Sequence, residues 1–99
     1  MAIMSSKVML SELIFFDTTS SKSNMNLINY VEDYLLSFGI KSQIIKDPHE
    51  EKANLHAIIG PEDISGIMLS GHTDVVPVKG QNWSTDPFQM TEKDGKLYG

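Results

Sequence analysis

The chain has 99 residues, 40% of them hydrophobic and 21% charged, with a formal charge of −5. These proportions describe a globular chain and exclude collagen-like, coiled-coil and disordered classes. All eight basic residues are lysines, which argues against phosphate-backbone binding and so against a nucleic-acid partner. The absence of cysteine excludes a disulfide scaffold, a thiolate zinc finger and thiol catalysis.

Ser6 reads as the cap of a first helix over 7–15, with Met9, Leu10, Leu13 and Ile14 on one apolar face. A secretory signal fits poorly there, because Glu12 interrupts the apolar run and no small-residue cleavage site follows. No apolar run reaches the ~18–20 residues of a membrane span, and the cytoplasm is the expected compartment. Asp17-Thr18-Thr19-Ser20-Ser21 is a polar break. Ser23 or Asn24 then caps a second helix whose buried stripe is Leu27, Ile28, Val31, Tyr34, Leu35 and Phe38. Gly39 occupies the left-handed position after it, and Ile40 makes the usual apolar contact.

From Ile40 the period changes. Residues 40–46 form an expected strand, 47–52 a polar turn and 53–59 a second strand ended by Gly60-Pro61. Ile67-Met68-Leu69-Ser70 is a short apolar run that fits an inner strand. Residues 75–88 are loop-like. The last expected pairing is a hairpin of 88–91 and 96–98, turned through Asp94-Gly95. The fold class is therefore α/β, with two N-terminal helices packed on a mixed sheet. No internal repeat or interdomain linker is visible. The end at Tyr98-Gly99 leaves a strand edge without cover, so residues 1–99 are expected to be part of a longer polypeptide.

The strongest chemical constellation is Gly71-His72-Thr73-Asp74. In extended backbone, residues two apart project to one side, so His72 and Asp74 can meet. The carboxylate would then fix the tautomer of the imidazole and raise the basicity of its other nitrogen. On spacing alone this is either a metal or catalytic pair or a hydrogen-bonded structural histidine. A single histidine does not make a zinc site. His49, in a charged turn, and His56, in a strand, read as structural. Trp83, Pro87 and Phe88 read as loop packing before a binding platform. Phosphate loops, dinucleotide fingerprints, His-Glu-x-x-His and nucleophile-elbow motifs are absent.

LSGHTDVVPVKGQNWSTDPFQMTEKDGKLYG, from Leu69 to Gly99, resembles the first metal-binding signature of the zinc-dependent aminoacylase and carboxypeptidase superfamily. FFDTTSSKSNMNLINYVEDYLLSFGI resembles the opening helices of its acetylornithine deacetylase family, and KANLHAIIGP the following strand. Asp86-Pro87-Phe88 favours that family over the succinyl-diaminopimelate desuccinylases, which tend to carry Pro-Pro-Phe. The resemblance implies that His72 binds one of two zinc ions, with cobalt able to substitute, and that Asp74 is its hydrogen-bonding partner. It implies hydrolysis of a small N-acyl amino acid, N-acetyl-L-ornithine to acetate and ornithine, in arginine synthesis, by a cytoplasmic homodimer. Residues 1–99 would be the N-terminal part of the catalytic domain. The pattern departs in one respect: the R-G-x-x-D-M-K-G segment, the general-base glutamate and the lid domain are not in these residues. A fragment inactive by itself is expected; a related amidohydrolase and a non-catalytic truncated remnant acting as a binding module are the alternatives.

Overall fold

The computed structural model describes residues 3–99. The element order is α1 (Ser6–Ile14), α2 (Met25–Leu36), β1 (Ser42–Lys46), β2 (Ala53–Ala57), β3 (Thr91–Lys93) and β4 (Lys96–Tyr98).

Helix α1 starts one residue earlier than expected. Ser5, not Ser6, is the cap, and its hydroxyl accepts from the Val8 amide at 3.2 Å. Helix α2 follows its 3- and 4-residue apolar spacing and buries Leu27 and Ile28. Its start is unusual. Asn24 takes the cap position but spends its amide on β2, donating to the Ala53 carbonyl at 2.9 Å and accepting the Ala53 amide at 3.0 Å. The Ser23 hydroxyl accepts from the Met25 amide instead. The end is as the sequence predicts. Gly39 has φ +74°, and the amides of Gly39 and Ile40 return to the carbonyls of Leu36 and Leu35, both bonds of a Schellman turn.

Strands β1 and β2 form an antiparallel hairpin with Ile44 opposite Leu55 and Lys46 opposite Ala53. Alternation turns Ile44, Ala53 and Leu55 toward α2 and leaves Ile45 outside. The turn between them is held by Asp47, whose carboxylate accepts the amides of His49 and Glu50. Leu27, Ile28 and Ala53 form the centre of a small core, with Leu13, Phe16, Met25, Val31, Ile44 and Leu55 packed around it. Strands β3 and β4 form a second antiparallel hairpin, turned where Asp94 and Gly95 both have positive φ, as Asp-Gly predicts.

The expected mixed sheet is corrected in two respects. There are two separate two-stranded antiparallel sheets, and the parallel element is a single bridge between Thr19 and Val75. Helix α2 covers the β1–β2 hairpin, whereas α1 lies beside β3–β4, joined by a Lys7–Glu92 ion pair. Gly99 there approaches Ile14 so closely that a Cβ would sit 2.8 Å from it. The expected inner strand at 67–70 is not a strand. Ile67, Met68 and Leu69 are 93%, 76% and 92% exposed. An inner strand needs hydrogen-bonding neighbours on both edges. Strands β1 and β2 pair with each other, and no strand among the described residues lies beside 67–70. The radius of gyration, 15.5 Å, exceeds the ~13 Å of a compact domain of this length, consistent with this open surface. Hydrogen exchange gives a direct check. The amides of Ile67–Leu69 will exchange among the fastest in the chain, and those of Leu27 and Ile28 among the slowest. No helix among the described residues is long and apolar enough to cross a membrane.

Candidate metal and hydrolytic site

His72 and Asp74 meet as their spacing predicts. The imidazole Nδ1 lies 2.8 Å from the Asp74 carboxylate Oδ1 and 3.1 Å from the Asp74 carbonyl oxygen. Both neighbours are acceptors, so the Nδ1 proton is the one donated, and Nε2 is left with its lone pair. That is the tautomer a metal-ligating histidine needs. The pair stands open: His72 is 83% and Asp74 62% exposed.

Two clefts meet at this pair. One, of about 340 Å³, is mostly apolar and is lined by Leu13, Phe16, Val75, Trp83 and Phe88, with His72 at its wall. The other, of about 850 Å³, is more polar and runs past Asn24, Lys46 and Lys52 to Ser70–Asp74. His72 belongs to both.

The loop that carries the pair is pinned from the far side of the sequence. The Thr18 hydroxyl donates to the Thr73 carbonyl at 2.5 Å, between His72 and Asp74. The Val75 amide donates to the Thr18 carbonyl at 3.1 Å, and the Ser20 amide to the Val75 carbonyl at 2.9 Å. Thr18 and Thr19 are buried, although the sequence around them reads as a polar break. Asp17 shapes this turn. One carboxylate oxygen accepts from the amide and hydroxyl of Thr19 at 3.1 and 2.5 Å, and the other pairs with Lys22. The hydrogen bond from Lys22, then those from Thr19, hold the Asp17 carboxyl down to about 2. The sequence signal for this strap was the run of backbone-bonding residues itself, but its partner lies 55 residues away and leaves no local mark.

The lowered pKa makes the turn acid-sensitive, with a defined sign. A depressed carboxyl stabilises the fold above its unfolded value and ceases to do so as pH falls through its folded value. Asp17→Asn will therefore melt below the wild type at neutral pH. The gap between the two melting temperatures will stay constant above about pH 5 and close between about pH 4 and pH 2. Thermal unfolding of both proteins across this range reads it.

Among the described residues no group of three or more His, Asp or Glu side chains is arranged to hold an ion. His49 and His56 are exposed, on the β1–β2 turn and on β2, and neither joins His72. These residues fit one imidazole corner of a metal site and not a whole one. The Trp83 indole N–H is donated to Gln81 at 3.0 Å, and Gln81 donates to the Pro77 carbonyl at 2.7 Å.

Residues 68–99 match Peptidase family M20/M25/M40. The chain is 42% identical over 98 residues to a protein of Pasteurella multocida named acetylornithine deacetylase, covering 92% of this chain and 25% of that protein. A Proteus mirabilis protein of the same name is 42% identical over 84 residues, covering 84% of this chain and 21% of the relative. A Staphylococcus aureus protein named probable succinyl-diaminopimelate desuccinylase is 44% identical over 82 residues, covering 82% and 20%. The chain thus spans about a quarter or less of the length of the curated relatives it matches. The two names match at similar identity, so Asp86-Pro87-Phe88 does not decide between them. No solved structure matches.

Proposed function

The chain belongs to Peptidase family M20/M25/M40, and from that premise we propose that it supplies the first part of the catalytic domain of a metal-dependent amidohydrolase acting on small N-acyl amino acids. His72 is one metal ligand, through Nε2, and Asp74 is the residue that orients it. The observation that carries this reading is the 2.8 Å contact between Nδ1 and the Asp74 carboxylate, inside the segment that matches the family. Asp74 holds the Nδ1 proton, so the other nitrogen is presented to the open side of the loop. A zinc or cobalt ion, if held by His72 Nε2 with further ligands, would supply Lewis-acid chemistry, polarising an acyl carbonyl and acidifying a water. This chain's own contribution is one fixed ligand and the two clefts that flank it.

The acyl group is the finer part of the proposal. The names of the relatives support two substrates equally, N-acetyl-L-ornithine and N-succinyl-diaminopimelate. Assayed as purified from its source, the protein that carries this sequence will release either acetate from the first or succinate from the second. Release will be lost on chelation and recovered with zinc or cobalt. Failure to hydrolyse either compound with metal added would overturn the reading.

A further inference from the structure

We infer that the Asp17–Ser20 turn is the positioning element of the His72–Asp74 pair, with the Thr18 hydroxyl as its key contact. This inference rests on the reading of His72 given above, and its test does not depend on that reading. His72 and Asp74 are too exposed for surrounding side chains to hold them. An exposed imidazole left to itself samples several rotamers. Its orientation here comes from the backbone of 72–75, and that backbone is fixed by three hydrogen bonds to one turn. Thr18 Oγ1 grips the carbonyl of Thr73, the residue between the two partners. The amide and carbonyl of Val75, the next residue, are taken by the Thr18 carbonyl and the Ser20 amide. The turn is itself braced, by Asp17 on Thr19 and Lys22 and by Lys52 on the Ser20 carbonyl. Burial of Thr18 and Thr19 keeps water from competing for these bonds. Thr18 therefore acts through Thr73: its hydroxyl is spent on that carbonyl and makes no hydrogen bond to the imidazole, although both side chains line the apolar cleft.

The test reads the tautomer of His72 in the 99-residue chain, by nitrogen-15 shifts of the rings at one fixed pH where all three imidazoles are neutral. His49 and His56 serve as internal references. In the wild type, His72 will be mainly protonated on Nδ1, whereas the two exposed references will favour Nε2. In Thr18→Val, which keeps the shape and removes the hydroxyl, the His72 signal will move toward the references by more than half of their separation. The references themselves will not move. Thr18→Ser, which restores the donor, will recover the wild-type signal. His72 unchanged in Thr18→Val would overturn the inference, and so would equal changes at all three histidines. A measurement on the unaltered chain stands beside this in case Thr18→Val does not fold. The Ser20 and Val75 amides will exchange at least tenfold more slowly than those of Ile67–Leu69. Equal rates would mean that the turn does not hold the loop, and the inference would fall. No metal or substrate enters either measurement, so an inactive enzyme with an intact clamp and an active enzyme without one are told apart.

Discussion

The 99-residue chain alone, supplied with zinc or cobalt and N-acetyl-L-ornithine, will release no acetate above the uncatalysed rate. A catalytic zinc takes three protein ligands and keeps one position open. The described residues bring one imidazole to the site and no group of three. Neither His49 nor His56 is placed to help. Among the described residues, the carboxylate that contacts His72 is Asp74, whose Oδ1 is engaged by the Nδ1 proton; a separate general base would be worth typically about 10²–10⁴-fold. Ligand and base act as one assembly, so their losses do not simply multiply. Acetate measured by a coupled assay over hours, with and without His72→Ala, reads the result. Turnover by the short chain that disappears in His72→Ala would show that residues 1–99 hold a whole site.

In a hybrid that carries this chain in place of the matching segment of the Pasteurella multocida relative, Asp74→Asn will lower metal affinity or turnover by about 10–100-fold. Asparagine keeps the size and removes the charge. Its amide can turn an NH₂ donor toward Nδ1, which then carries a lone pair and moves the proton to Nε2, the nitrogen a metal needs bare. His72→Ala removes the ligand itself, so its loss will exceed that of Asp74→Asn. The order of the two variants is the informative outcome. A merely structural Asp74 would change melting temperature and leave metal affinity alone.

Much of this architecture is legible in the chain because its causes are local. Helix α2 declares itself by Leu27, Ile28, Val31 and Leu35, and Gly39 marks its end because only a residue free of Cβ strain adopts that φ readily. Asp94-Gly95 names its own turn. His72 and Asp74 are two apart, so their meeting is legible from the spacing. The failures are of the opposite kind. Ile67–Leu69 has the composition of an inner strand, but strand formation depends on neighbours, and a run of apolar residues does not say whether they exist. Asp17–Ser20 has the composition of a polar break, yet Thr18 and Thr19 are buried and the segment's bonds go to Thr73 and Val75. The cap of α1 falls on Ser5 because either serine satisfies the local rule.

If His72 is a metal ligand, the metal content of that hybrid will depend on it. The protein is loaded with cobalt, desalted and analysed for bound metal, beside its His72→Ala and Asp74→Asn variants. The hybrid will retain metal and turn over, Asp74→Asn will retain less, and His72→Ala will lose bound metal together with activity. A folded His72→Ala hybrid with the metal content and turnover of its parent would contradict it.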